Sequence, residues 1–245
     1  MSERHNHLGQ PIGFPLPDWR PVPPPPRAPM AGRCCRVEPI DPARHAAELH
    51  DAYREDREGR NWTYLGYGPF ESLADWSRWM EKTCLGNDPL FHAVIDGDSG
   101  RAVGMASYLR QDPGAGVIEV GHIHYSPRLQ RRIAATEAMY LMMRRVFDEL
   151  GYRRYEWKCA ALNAPSRRAA DRLGFTFEGI FRQATIYKGR NRDTAWYSII
   201  DRDWPALAAA YERWLDPANF DASGRQRVAL AALTGPAIAR AAATG

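Results

Sequence analysis

Residues 117–150 read VIEVGHIHYSPRLQRRIAATEAMYLMMRRVFDEL and bring the chemically capable side chains of this chain close together. Val117, Ile118, Val120 and Ile123 favour a pleated, half-buried strand, and Ser126-Pro127 stops it because proline cannot donate to a ladder. Beyond it, Met139, Met142, Met143, Val146 and Leu150 follow the spacing of one helix face, with Gly151 as the closing residue. Between strand and helix lie Arg128, Arg131 and Arg132. Three guanidinium groups beside the free N–H groups of a helix start suit an anion, most naturally a phosphate. His122 and His124 form a His-x-His pair on the strand. Two such ligands without a partner carboxylate motif are weak grounds for a metal, and none is expected.

The elements that must position these groups follow from patterning. Residues 33–40 read as a strand and 42–53 as a helix, with Asp41 as N-cap and Pro42 in its first turn. An aperiodic aromatic segment carries Trp62, Tyr64, Tyr67 and Phe70, residues suited to a substrate mouth. A second helix spans 72–85. Strands at 90–96, 102–109 and 117–125, joined by Gly- and Asp-rich turns, read as an antiparallel meander. After the central helix come a strand at 155–159, a helix at 163–173 capped by Asn163, strands at 175–181 and 194–200, and a closing helix to Trp214. The order is β-α-α-β-β-β-α-β-α-β-β: an α/β chain with a mixed sheet covered on both faces.

Composition sets bounds. The chain has 245 residues, a formal net charge of +4 and four cysteines. That length supports a core of ordinary size, and the mild positive charge needs no nucleic acid to explain it. Cys34, Cys35, Cys84 and Cys159 form no C-x-x-C pair, which fits reduced thiols in a cytoplasmic protein. No apolar run reaches the ~20 residues of a membrane span, and the N-terminus lacks the apolar stretch of a signal peptide. Residues 1–32 read as a Pro-rich extended arm that Phe14, Leu16 and Trp19 can pin, 33–215 as the folded domain, and 216–245 as an Ala-rich tail.

Five segments together, EVGH at 119–122, QRRIAATEA at 130–138, NAPSRRAADRLGF at 163–175, FEG at 177–179 and RDTAWYS at 192–198, resemble the GNAT superfamily of acetyl-CoA-dependent N-acetyltransferases. Within it they are most similar to the branch that acetylates the N-terminal serine or alanine of ribosomal proteins. The resemblance implies a mostly antiparallel seven-stranded sheet with a V-shaped splay between the fourth and fifth strands. It implies that Gln130, Arg131, Arg132, Ile133, Ala134 and Ala135 form a pyrophosphate turn, helped by Arg128. It also implies that His122, Ile123, His124 and Tyr125 flank the pantetheine, which Asn163 hydrogen-bonds. One position departs from the pattern: Ile133 stands where the family turn has its first glycine, the residue that relieves φ restrictions.

Acetyl transfer needs a neutral amine, charge stabilisation at the thioester oxygen and a proton for the leaving thiolate. The family's usual tyrosine acid corresponds to Ala170 here, and the ribosomal-protein branch points instead to Ser166. A base is less evident, because Thr185 stands where related enzymes place a carboxylate. Glu119, His122, His124 and, through water, Asp193 remain. Simple alternation puts His122 and His124 on one face of the strand and Glu119 on the other. The expected acceptor is a protein N-terminal α-amine. Alternatives are a small-molecule amine, or acyl-CoA binding without catalysis; the chain is expected as monomer or homodimer.

Overall fold

The computed structural model describes residues 4–243. Two short strands, β1 (Arg4–His5) and β2 (Pro11–Ile12), pair as a separate hairpin. The main sheet contains β3 (Met30–Ala31), β4 (Cys35–Pro39), β5 (Leu90–Asp96), β6 (Ala102–Asp112), β7 (Val117–Tyr125), β8 (Arg154–Ala160), β9 (Thr176–Tyr187) and β10 (Arg190–Ile200). Their spatial order is β3-β4-β5-β6-β7-β8-β10-β9, with only β7 and β8 parallel. The sheet thus has eight strands where seven were expected. The extra one is Met30–Ala31, a two-residue edge whose length is below what patterning can register.

Helices α1 (Pro42–Tyr53) and α2 (Leu73–Thr83) cover one face, sealing a core of Leu49, Tyr53, Trp76 and Met80 against Phe91 and Met105. Helix α3 (Ile133–Arg144) covers the other, with Met139, Met142 and Met143 fully buried against Tyr108, Ile118 and Tyr155. Helices α4 (Ala164–Leu173), α5 (Trp204–Leu215) and α6 (Leu230–Ala243) extend that layer. The last lies in the Ala-rich segment 216–245, for which the sequence allowed a poorly fixed tail or a weak helix. Leu230, Thr234 and Ala237 are buried, and Thr234 donates to the Arg172 carbonyl at 3.1 Å. Tertiary packing rather than intrinsic propensity holds this helix.

The Pro-rich arm lies along the domain. Trp19 donates to the Gly114 carbonyl at 2.7 Å, and the buried Arg145 binds the carbonyls of Ala28 and Pro29. Phe14 and Leu16, the other two residues expected to pin it, stay exposed. No helix among the described residues is long and apolar enough to cross a membrane.

Candidate active site

Strands β7 and β8 pair from Val117 opposite Arg154 to Val120 opposite Trp157, and there the pairing stops. Both strands continue, β7 to Tyr125 and β8 to Ala160, so beyond that point they part and form the expected splay. Backbone groups on the β8 edge of β7 lose their strand partner from Gly121 onward. Such groups, held by rigid strand on the other side, can donate to a carbonyl oxygen in the gap.

The parting coincides with a β-bulge. Gly121 opposes Ser107 and His124 opposes Met105, so three steps on β7 match two on β6. His122 takes up the extra residue with φ +49°, a left-handed conformation that costs a non-glycine residue free energy. The bulge reverses the expected facing. Glu119, opposite Leu109, and His124, opposite Met105, lie on the same α1/α2 side as His122, while Ile123 and Tyr125 turn toward α3. Alternation fails here because it assumes an unbroken pleat.

His122 is half-buried between the Phe91 ring, with centroids 4.8 Å apart, and the Tyr67 ring at 5.7 Å. Its Nδ1 lies 3.4 Å from the Tyr67 hydroxyl. Burial, aided by the Arg110 charge, pushes its pKa down to about 4. The ring is therefore neutral at physiological pH and able to accept a proton. His124 is buried, stacked on Tyr53 at 3.9 Å, and burial drives its pKa to about 3. That places it in the wall behind the opening.

Glu119 is almost fully buried and doubly paired: Arg110 Nη1 lies 2.7 Å from both its oxygens and Lys158 Nζ lies 3.0 Å away. Lys158 also binds Glu156 at 2.7 Å and sits 3.9 Å from the Trp196 ring centroid. With both oxygens engaged by cations, the Glu119 carboxylate is placed to shape the floor of the opening. This charged row was legible in principle: Arg154, Glu156 and Lys158 alternate with Tyr155, Trp157 and Cys159 along β8, but their partners on β7 and β10 are distant in sequence.

The basic turn is built differently from expectation. Arg131 has φ +61°, and Arg132, at φ −92° and ψ 158°, precedes the helix without a side-chain cap. The left-handed residue is thus Arg131, and Ile133 is simply the first helical residue, so the missing glycine imposes no backbone penalty at its own position. Uncapped, the leading N–H groups at Ile133 and Ala134 are free to meet an anion, with Ala135 one step behind. Arg131 and Arg132 are exposed, and among the described residues neither has an ion-pair partner. Arg128 is already engaged, by Asp51 of α1 at 2.9 Å and by Glu55 just beyond that helix at 2.7 Å, so it anchors the turn more than it offers charge. Gln130 braces it too, donating to the Tyr125 carbonyl and to Asn61.

Across the gap, Asn163 caps α4 by accepting from the Ser166 N–H at 3.2 Å. Ser166 Oγ accepts from Trp157 Nε1 at 3.0 Å, leaving its own proton to donate. Thr185 and Asp193 sit on the outer β9–β10 hairpin, and Asp193 is occupied by the Gln183 N–H and the Asn191 side chain. Segment 54–72 bridges over the site: Tyr64 donates to the Leu162 carbonyl at 3.1 Å, and Lys188 reaches the Trp62 carbonyl at 2.9 Å.

If the helix start holds phosphate through its backbone, Ile133→Pro weakens acetyl-CoA binding while Ile133→Ala does not. Proline is well tolerated at a first helical position, and the dihedrals of Arg132 already suit a residue before proline. The expected loss is about tenfold in Kd relative to the alanine variant, one hydrogen bond to a charged group. Calorimetric titration with acetyl-CoA measures it; equal affinities exclude the Ile133 N–H from the contact.

A parting parallel strand pair beside an uncapped, arginine-edged helix start is the arrangement that the resemblance implies for an acyl-CoA-dependent transferase. The comparisons narrow it. A family model described as an acetyltransferase (GNAT) domain matches residues 36–176. The chain is 48% identical to a GCN5-related N-acetyltransferase from Brucella melitensis, covering 90% of this chain and 100% of that one with a TM-score of 0.88. It is 40% identical to a probable GNAT-family acetyltransferase from Chromobacterium violaceum, covering 80% and 98% with a TM-score of 0.74. The structure of a protein from Vibrio cholerae named as a putative ribosomal-protein-serine acetyltransferase shares the fold at 20% identity, with 70% and 97% coverage and a TM-score of 0.61. No curated protein matches. The chain belongs to the GNAT acetyltransferase family, and its co-substrate is acetyl-CoA.

Proposed function

We propose that this enzyme transfers acetyl from acetyl-CoA directly to an α-amine of modest basicity, the N-terminal serine or alanine of a protein being the first candidate. The observation that carries the reading is the bulge that brings a neutral imidazole, His122, to the mouth of the parted strands. In this scheme the acceptor nitrogen bonds to the acetyl carbon as the C–S bond breaks. His122 takes the proton the amine releases, and backbone N–H groups after Val120 meet the charge on the thioester oxygen. Ser166 gives its proton to the departing thiolate, helped by the Trp157 N–H on its oxygen. Solvent exchange returns both side chains to their starting states.

The amine class follows from magnitude. A peptide α-amine has pKa about 7.7–8.0 and a lysine side chain about 10.4, so freeing the lysine nitrogen at neutral pH costs roughly 3–4 kcal/mol more. A site whose base is a weak, buried imidazole suits the α-amine. A second reading, a detached small-molecule α-amine, is favoured by the two ties from Tyr64 and Lys188, which narrow the approach to the opening. Steady-state turnover on Ser- and Ala-starting peptides, lysine peptides, amino-acid amides and aminoglycosides tests both. Peptide turnover supports the first reading and amino-acid amides alone the second, whereas activity confined to lysine or aminoglycoside amines overturns the α-amine assignment.

A further inference from the structure

We propose that Tyr67 is a positioning residue for His122, accepting the Nδ1 proton so that the unprotonated Nε2 faces the opening. This rests on the reading of His122 as the group that receives the amine proton.

The argument begins with what fixes the imidazole. Its backbone is set by the bulge, where a left-handed residue is held between Gly121 and Ile123. Its ring meets two others, Phe91 tilted by 46° and Tyr67 nearly parallel at 22°. These contacts restrict the ring plane but do not decide which nitrogen carries the proton. The only polar side chain bonded to either nitrogen among the described residues is the Tyr67 hydroxyl, 3.4 Å from Nδ1.

That hydroxyl is itself well placed to act as a fixed acceptor. Burial raises the Tyr67 pKa well above the ordinary phenol range, so the group stays neutral throughout the working pH range. The Tyr67 ring is locked by Trp79 at 4.2 Å and by the edge of Trp62 at 6.3 Å. Free neutral histidine can carry its proton on either nitrogen, and the hydrogen bond made by one decides the state of the other. A neutral phenol can accept an N–H or donate its own proton. The alternatives differ in consequence. With Nδ1–H donating, Nε2 is a free base. With the phenol donating instead, Nε2 carries the proton and cannot accept another. Catalysis by His122 needs the first arrangement. When Nε2 takes the amine proton, the Nδ1–H bond to the phenol becomes charge-assisted and strengthens. No proton needs to leave Tyr67.

The charged groups near the ring bear on its titration: Arg110 from β6 opposes protonation, and Glu119 on β7 is paired to Arg110 and Lys158. Neither touches Nδ1, so neither sets the tautomer.

The test joins spectroscopy to kinetics on the full chain. ¹⁵N-NMR of the histidine rings is expected to find His122 in the Nδ1–H form in the native enzyme, shifting toward the Nε2–H form in Tyr67→Phe. The same variant should lose about tenfold in kcat with little change in the KM for acetyl-CoA, and Tyr67→Leu should lose more. An Nε2–H tautomer in the native enzyme, or an unchanged tautomer in Tyr67→Phe, overturns the proposal. His122→Asn separates the two ideas. If it retains full activity, the reading of His122 as base fails. If it is inactive while Tyr67→Phe is as fast as the native enzyme, only the role of Tyr67 fails.

Discussion

Replacing Glu137 with alanine is expected to lower the unfolding free energy by about 4 kcal/mol, a loss assembled from hydrogen bonds to a charged acceptor worth roughly 1.5–3 kcal/mol each and less than additive together. The Glu137 carboxylate is buried on α3 and accepts three consecutive backbone N–H groups from the β3–β4 turn: Arg33 at 2.9 Å, Cys34 at 2.6 Å and Cys35 at 2.8 Å. Successive N–H groups converging on one anion form a nest, and removing the anion strands all three donors. The turn is shaped for this contact: a Cβ on Gly32 would lie 2.5 Å from the carboxylate. Because α3 also carries the basic turn at its start, the contact ties the edge of the sheet to the coenzyme side of the site. Urea unfolding of Glu137→Ala and Glu137→Gln measures it. The glutamine variant should fall between, since it keeps one acceptor oxygen but turns an NH2 toward donors. A loss below about 1 kcal/mol in the alanine variant contradicts this account.

Glu137 illustrates how far the sequence carries. It lies inside the QRRIAATEA segment that suggested the coenzyme turn, yet nothing in that segment tells that its partner is a turn a hundred residues earlier. Local signals served well where the physics is local. The strand-to-helix change of period, the Pro127 stop and the Asn163 cap all stand where spacing put them. Errors arose where one local rule was asked to hold through a long-range event. The bulge at His122 is announced only by its neighbour Gly121, a mid-strand glycine that simple alternation ignores, and one extra residue moved both histidines to the side of Glu119. Likewise, the concern over Ile133 assumed that the left-handed residue must sit at the family's glycine, whereas here Arg131 adopts that conformation. The ion pairs among Arg110, Glu119, Lys158 and Glu156 join three strands, so only the register discloses them. Tyr67 was legible as an aromatic near a mouth, not as the neighbour of an imidazole.

Stability is expected to fall steeply as pH drops from about 6.5 toward 4, by as much as about 4 kcal/mol per pH unit where three histidines titrate only in the unfolded chain. The three are His92, His122 and His124, whose pKa values burial pushes down to about 3, 4 and 3. In the unfolded chain each returns to about 6.5. Between those values the unfolded state binds more protons than the native state, so the unfolding free energy rises with pH and its histidine contribution is complete above 6.5. Lowering the pH through this window removes that contribution before most carboxylates are protonated. Urea unfolding at closely spaced pH values, with proton uptake on unfolding measured alongside, checks the slope; a flat profile between pH 6.5 and 5 contradicts it. Catalysis should show the complementary sign. Because His122 is neutral above about pH 4, the rise of kcat/KM with pH in the neutral range must come from deprotonation of the acceptor amine rather than of the base. Its midpoint should therefore follow the acceptor, near 8 for a peptide α-amine and about 10.4 for a lysine side chain. A midpoint that stays fixed when the acceptor is changed would instead assign the titration to the enzyme and remove His122 as a neutral base.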